Sequence, residues 1–199
     1  MDHKNHTITL YSAQTHNIAQ RLRDGQTHRV KIQFIREKYG SVAHIFTNAY
    51  HWYTGHAAHI VRKPDEAESA VWAFADPRSL ERHLDSTILQ LNVPLDQPVC
   101  FRMSDWNKIL NLRYIGQSDT EEAAYANKLA QQGIGYEGDV YQKPFYPLLK
   151  RELIASWQNL FRHHRAICEA WQNGDTPDIA DIQVGLWEIR PEWVAGSVD

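Results

Sequence analysis

Residues 70–77 read AVWAFADP, an apolar run that ends in an aspartate and a proline. An unbroken apolar run of this length is typical of a strand that is buried on both faces. We therefore predict a central β-strand at 70–75. The following Asp76 and Pro77 favour a short helix that runs through Leu84, because proline at the first helical position has no hydrogen bond to lose.

Three other segments alternate apolar and polar residues, as half-buried strands do. They are TITLYS at 7–12, TILQLNV at 87–93 and VCFRMS at 99–104. In the last of them, alternation directs Phe101 inward and Cys100 outward. The short link PLDQP joins the second segment to the third, which predicts that these two strands are antiparallel neighbours. The segment IQVGLWEI, near the end of the chain, supplies a further strand.

The segments between the strands have helical periodicity and begin at residues that cap helices. Candidate N-caps are Thr15, Ser41, Ser104 or Asp105, and Ser118 or Asp119. A long helix is predicted from Pro147 onward. It carries one buried stripe, which consists of Leu153, Trp157, Leu160, Phe161, His164, Cys168 and Trp171. We interpret His164 as a core histidine whose hydrogen bonds are satisfied.

Together these elements predict an α+β fold, with a mixed sheet of about five strands packed against several helices. The helices include the long one in the C-terminal half. We predict a single domain over residues 1–199, with frayed tails at 1–6 and 195–199. Hydrophobic residues make up 43% of the chain and charged residues 23%, which is typical of globular proteins.

Net charge, cysteine content and the length of the apolar stretches argue against several classes of protein. The formal net charge of -3 gives no overall positive field, which disfavours a nucleic-acid partner. No apolar stretch is long enough to cross a membrane and the N-terminal residues are polar, so we expect a cytoplasmic protein with no leader and no membrane partner. Cys100 and Cys168 lie far apart in sequence, which argues against a disulfide framework and a thiolate zinc site.

The stretch HWYTGHAAH at 51–59 raises the question of a metal site. On a helix of about 100° per residue, His44 and His51 lie opposite the apolar face and His56 lies beside it. The predicted apolar face comprises Val42, Ile45, Phe46, Ala49, Tyr50, Tyr53, Ala57 and Ile60. His56 and His59 have no third ligand at suitable spacing, and zinc sites use three or four. We therefore predict a hydrogen-bonded or solvent-facing histidine face and no metal.

Residues 133–147, GIGYEGDVYQKPFYP, are predicted to form one long loop that is suited to be a lid over a site. The loop contains a G-x-G pattern. It lacks the lysine of a phosphate-binding loop and no predicted strand precedes it, so the pattern predicts loop structure rather than nucleotide binding.

An ordered set of motifs spans nearly the whole chain. They are LYSAQT at 10–15, AYHWY at 49–53, AVWAFADP at 70–77, LQLNVPLDQPVCFRMSDWNKILN at 89–111, SWQNLF at 156–161 and VGLWEI at 184–189. In this order they resemble the small bacterial family labelled domain of unknown function 3841. The chain differs at Phe74, where that family tends to have tryptophan, and at Ser12, where threonine is usual. The resemblance implies one folded domain and transfers no catalytic residue.

Three classes of function are compatible with the sequence. The leading hypothesis is a non-catalytic interaction or adaptor protein with a protein partner, because aromatic residues at 11% suit an interface as well as a core. The second is an enzyme that resembles ADP-ribosyltransferases and takes NAD or another small nucleotide, with LYSAQ, VWAFADP and LWEI on the matching strands. The third is a nucleic-acid-associated module, whose binding would depend steeply on salt. Its candidate cations are Arg102, Arg113, Lys150, Arg151, Arg162 and Arg165.

Glu188 is the candidate catalytic residue of the enzyme hypothesis, because it ends an otherwise aliphatic strand face. A partly desolvated carboxylate is a candidate acid, base or cation stabiliser. Under this hypothesis Ser12, Trp72 and Asp105 line the same cleft, where Trp72 offers a stacking surface and Glu188 faces a ribosyl cation. The alternative is that Glu188 pairs with Arg190 or another arginine at the rim of the sheet.

Overall fold

The computed structural model describes residues 6–40, 43–81 and 83–198. The strands are β1 (Thr7–Thr15), β2 (Val71–Phe74), β3 (Ser86–Pro94), β4 (Val99–Arg102), β5 (Ile182–Leu186) and β6 (Val194–Val198). The α-helices are α1 (His16–Arg23), α2 (Ile32–Tyr39), α3 (Ala43–Ala57), α4 (Met103–Leu110), α5 (Asp119–Gln131), α6 (Glu137–Gln142), α7 (Pro147–Ser156) and α8 (His164–Gln172). In the described part of the chain, no helix is long and apolar enough to cross a membrane.

The described strands form one sheet in the order β4-β5-β2-β1-β3-β6. The predicted α+β class is confirmed, and β2 is a central strand between β1 and β5. The sheet has six strands rather than about five, and it is not the mixed sheet that the sequence predicted. The paired registers of β1 with β2, β1 with β3, β2 with β5 and β3 with β6 are all antiparallel.

The prediction that β3 and β4 are neighbours is wrong. A strand has two hydrogen-bonding edges, and β1 covers one edge of β3 from Ser86 to Pro94. The other edge of β3 pairs with β6, where Ile88 lies opposite Val198. No edge is left for β4, which lies at the far side of the sheet next to β5. Of the tail predicted to fray at 195–199, residues 195–198 instead lie in β6 and pair with β3, while Asp199 lies outside the described residues.

The chain folds as two units. Unit 1 comprises Met1–Cys100 and His163–Asp199, and unit 2 comprises Phe101–Arg162. Unit 1 contains α1, α2, α3, α8 and all strands except the end of β4, while unit 2 contains α4, α5, α6 and α7. Each unit has its own set of buried side chains, such as Leu10 and Val184 in unit 1 and Leu153 and Trp157 in unit 2.

Unit 1 packs apolar side chains against both faces of β2. Val71 and Ala73 point into a core that α1 and α8 also enter through Leu22, Ile167 and Trp171. On the other face, Trp72 packs against α3: its ring centroid lies 5.1 Å from that of Tyr53. The unbroken apolar pattern of this strand therefore results from helices on each side of it.

Two of the predicted N-caps are confirmed, and a third is wrong. Thr15 and Ser118 accept hydrogen bonds from the backbone amides of Ile18 and Glu121, as predicted for N-caps. Helix α4 instead follows Arg102, so Ser104 and Asp105 lie in its first turn. The short helix after Asp76 spans Pro77–Ser79 and does not continue to Leu84. The predicted cap Ser41 lies outside the described residues.

The predicted long helix after Pro147 is three consecutive elements. Helix α7 leads into a 3-10 helix over Trp157–Phe161, and α8 begins only at His164. The hydroxyl of Ser156 donates to the Leu153 carbonyl at 2.6 Å, and this competition for a backbone acceptor favours a break in the helix. The predicted burial of Trp157 and Trp171 is confirmed, since they are 1% and 9% exposed.

Candidate functional site

Ser12 and Trp72, two of the predicted site residues, lie in contact. The Ser12 hydroxyl donates to the Trp72 carbonyl oxygen at 2.7 Å and accepts from the Gln14 amide at 2.8 Å. Ser12 is fully buried, and the Trp72 indole donates to the Tyr50 hydroxyl at 3.0 Å. The polar atoms of both residues are thus engaged within the fold, where they join β1, β2 and α3.

Glu188 lies just beyond β5, beside a short backbone bridge. The amides and carbonyls of His28 and Ile189 exchange two hydrogen bonds of 2.9 Å. In such an antiparallel bridge, the residue after His28 lies opposite the residue before Ile189. Arg29 is therefore placed against Glu188, although the two are 159 positions apart in the sequence.

The Glu188 carboxylate is buried between two arginines. Arg29 Nη2 lies 2.7 Å from Oε2, and Arg190 Nε lies 2.5 Å from Oε1. The Glu188 side chain is 5% exposed, so both of its oxygens meet cations where water has little access. This is the geometry of a structural ion pair, the alternative that the sequence offered for this residue.

The buried imidazole of His28 should make the protein less stable in acid. Burial, with a contribution from Arg21, lowers the pKa of His28 to about 4. The unfolded chain therefore takes up a proton at a higher pH than the folded chain, and stability falls as the pH drops from about 6.5 to about 4. We expect a contribution of up to about 3 kcal/mol. Urea denaturation at a series of pH values measures it.

His28→Gln should lose this part of the pH dependence, while His44→Gln, on an exposed face, should keep it. The attribution to His28 would be contradicted if the free energy of unfolding changed equally with pH in His28→Gln and in the unsubstituted protein between these pH values.

Asp105 lies in unit 2 and is 1% exposed. Arg162 Nη2 lies 3.0 Å from Asp105 Oδ2, and Lys108 Nζ lies 3.7 Å from Oδ1. Arg162 also donates to the Gly116 carbonyl at 2.6 Å. The buried charge of Asp105 is therefore compensated within unit 2, and its place in a ligand cleft stays a prediction.

A cleft of about 760 Å³ opens in unit 1 at the end of β2. Its walls include the start of β1, the Asp76–Arg78 ion pair and the ring of Trp171. The described residues that line this cleft do not include Ser12, Trp72 or Glu188. The strand-end cleft and the predicted site residues of unit 1 therefore do not coincide.

The histidines near α3 point in different directions. His44 and His51 are exposed, as the helical wheel predicted. His56 stacks on Trp52 with ring centroids 4.3 Å apart, and its Nδ1 lies 2.8 Å from the Trp52 carbonyl oxygen. Ile60, predicted on the apolar face, is 36% exposed because α3 ends at Ala57. Val42, predicted on the same face, lies outside the described residues.

Cys100, His164 and Cys168 form a cluster in unit 1. The two sulfurs lie 4.0 Å apart, and the Cys168 sulfur lies 3.7 Å from His164 Nδ1. The backbone amide of Cys100 donates to the same nitrogen at 3.2 Å. One nitrogen or sulfur from each residue lies within 4.8 Å of the others, and no other group of this kind occurs in the described residues.

The two thiols of the cluster have opposite pKa shifts. The hydrogen bond from Cys100, aided by His164, lowers the pKa of Cys168 to about 5. Burial raises the pKa of Cys100 well above its usual value. Cys168 is therefore the thiol of the pair that ionises more readily, and the Cys100 thiol is its hydrogen-bond donor.

The sequence did not predict this cluster. The prediction that Cys100 points outward from its strand is wrong, because Cys100 is fully buried in the core of unit 1. The distance between the two cysteines in the sequence gave no sign of their proximity, since β4 and α8 bring their sulfurs to 4.0 Å. The one available signal was HRAIC at 164–168, where a histidine and a cysteine four residues apart share a helix face.

Residues 143–151 of unit 2, KPFYPLLKR, form a basic apolar surface. The long loop predicted at 133–147 is wrong, because α6 spans Glu137–Gln142 within it and α7 begins at Pro147. Phe145 and Leu148 are 76% and 73% exposed, and Pro144 is also exposed. Between Asp139 and Glu152 the chain has three cations and no acidic residue.

Comparison with family models identifies one family. The model described as "Domain of unknown function (DUF3841)" matches residues 9–195, nearly the whole chain. The chain belongs to this family. Comparison with curated proteins and with solved structures gave no match.

In this DUF3841 chain, the motif VGLWEI makes structural contacts. A Cβ atom at Gly185 would lie 2.0 Å from the Tyr53 hydroxyl oxygen, so only glycine permits this approach of α3 to β5. The Trp187 indole donates to the Val61 carbonyl at 2.8 Å. With Glu188 between two arginines, the DUF3841 motif holds the end of β5 in place.

Proposed function

We propose that this DUF3841 protein is a non-catalytic interaction protein that binds a partner through the basic apolar surface. The exposure of Phe145 and Leu148 carries this proposal. Two large apolar side chains this exposed, three positions apart in the chain, are typical of an interaction surface rather than of a core. The cations around them give the surface a positive rim on a chain of negative net charge.

The expected occupant is a segment of a partner protein that carries both apolar and acidic side chains. Lys150 lies 4.4 Å from the centre of the Tyr141 ring, and Arg151 is exposed. Lys143 already pairs with Asp139 at 2.8 Å and so contributes less to binding. Carboxylates opposite Lys150 and Arg151 would set the orientation of a segment whose apolar side chains cover Phe145 and Leu148.

The arrangement at Glu188 also supports a non-catalytic role. A carboxylate that stabilises a ribosyl cation must face its substrate, and here both oxygens face arginines. The second candidate is an ADP-ribosyltransferase-like enzyme that binds NAD, and the contact between Ser12 and Trp72 favours it. In that case Glu188 would have to release at least one arginine when NAD binds.

Selection from a library of random displayed peptides tests the proposal. We expect the protein to enrich peptides that combine carboxylates with large apolar residues. A selected peptide should bind the double variant Phe145→Ser, Leu148→Ser at least about tenfold more weakly. The matched control is Leu84→Ser, because Leu84 is 99% exposed in unit 1 and should not affect binding.

Three results would overturn the proposal. The first is that selected peptides bind the double variant as well as the unsubstituted protein. The second is that the surface binds anionic vesicles or a duplex oligonucleotide, with no peptide selected. The third is a homodimer that the double variant abolishes, which would make a second copy of the chain the occupant.

A further inference from the structure

We propose that Cys100, His164 and Cys168 form a zinc-binding site. The proposal does not depend on the proposed function, which rests on residues of unit 2. It rests on the position of three side chains in unit 1, which bring two sulfurs and an imidazole to one point. These are ligand types that zinc prefers in proteins.

The distances fit a tetrahedral ion. With Zn–S near 2.3 Å and Zn–N near 2.0–2.1 Å, two sulfur ligands lie about 3.8 Å apart, and a sulfur and a nitrogen about 3.6 Å apart. The corresponding distances here are 4.0 Å between the sulfurs and 3.7 Å from the Cys168 sulfur to His164 Nδ1. The third pair, the Cys100 sulfur and a His164 ring nitrogen, lies within 4.8 Å, so an adjustment of these side chains would complete the coordination.

The fold fixes the ligands on two elements of unit 1. Cys100 lies on β4, whose backbone is held in the sheet. His164 and Cys168 lie one turn apart on α8, a spacing that places both side chains on the same helix face. Ligands on regular elements lose little conformational freedom when an ion binds.

The hydrogen-bond geometry at His164 also suits a metal. The Cys100 amide donates to His164 Nδ1 at 3.2 Å, so this nitrogen presents a lone pair that can exchange the hydrogen bond for a metal bond. On binding, the protons of the cysteine thiols pass to solvent, and the ion meets two thiolates.

Ligand type points to zinc rather than to magnesium or calcium, which prefer oxygen. His164 and Cys168 are only half-buried, which leaves a path for the ion from solvent. Three protein ligands leave a fourth position for water or an added ligand. We infer an open site of the Cys2His type.

Titration of the reduced protein with cobalt(II), in the absence of air, tests the site. We expect a thiolate-to-cobalt charge-transfer band and the visible bands of tetrahedral cobalt, saturating at about one ion per chain and displaced by zinc. Cys168→Ser should abolish the charge-transfer band or weaken cobalt binding at least about tenfold, and His164→Gln should weaken binding similarly. Because Cys168 is only half-buried, we expect Cys168→Ser to fold, and circular dichroism checks this.

His51→Gln is the matched control, since His51 is exposed on α3 and should leave cobalt binding unchanged. As a second measurement that needs no variant, zinc should slow alkylation of both cysteines. The proposal is overturned if reduced protein gives no cobalt band, or if folded Cys168→Ser binds cobalt(II) with the same affinity and the same band as the unsubstituted protein. It is also overturned if reduced protein binds no metal while oxidation links the two cysteines, which would make the cluster a redox pair.

Discussion

Glu188→Gln is expected to lower the free energy of unfolding by about 3 kcal/mol, because it removes the charge between Arg29 and Arg190. Glutamine keeps the shape of the side chain. It cannot compensate two guanidinium groups, one of which lies 2.7 Å from the present carboxylate. The arginines are 32% and 45% exposed, so water offsets part of the loss. Urea denaturation of both proteins at neutral pH measures the difference.

The control for this variant is Glu192→Gln. Glu192 is exposed and lies close by in the sequence, and its replacement should change stability by less than about 0.5 kcal/mol. The enzyme hypothesis predicts a different pattern. If Glu188→Gln is as stable as the unsubstituted protein, and NAD binds saturably only when Glu188 is present, then the carboxylate serves a ligand and our interpretation is wrong.

Trp157→Ala is expected to cost about 3–5 kcal/mol of stability, the largest effect that we predict for one side chain. Trp157 is 1% exposed, stacks on Tyr141 with ring centroids 5.7 Å apart, and donates its indole N–H to the Arg113 carbonyl at 2.9 Å. Alanine would leave a cavity in unit 2 and a buried carbonyl without its donor. Chemical denaturation followed by far-ultraviolet circular dichroism measures the loss.

Trp157→Phe separates the two contributions. Phenylalanine keeps most of the ring and loses the hydrogen bond, so it should cost less than alanine does. Phe145→Ala, an exposed aromatic change in the same unit, should cost less than about 0.5 kcal/mol. A cost below about 1 kcal/mol for Trp157→Ala would mean that this side chain is not a core residue.

The local elements of the fold were predictable because their signals are contiguous in the chain. The apolar run at 70–75 and the alternation at 87–93 predicted β2 and β3, and Thr15 marked the start of α1. The position of β4 was not predictable, because it depends on which strands occupy the edges of β3. A short link usually joins neighbouring strands, but here β1 and β6 occupy both edges of β3.

The functional features depend on contacts between distant parts of the chain. Arg29 and Glu188 are 159 positions apart, and Cys100 and Cys168 are 68 positions apart. Sequence spacing carries no signal for such pairs. Only His164 and Cys168, which share one helix turn, left a local pattern, and the apolar stripe around them explained it equally well.

The most direct test of the interaction account is an NMR footprint of a selected acidic and apolar peptide on the isotope-labelled protein. The account predicts saturable shifts of the backbone amides of residues 143–151, with Phe145 and Leu148 among the most affected. The largest shifts at Ser12, Trp72 and Glu188, with no change between 143 and 151, would contradict it.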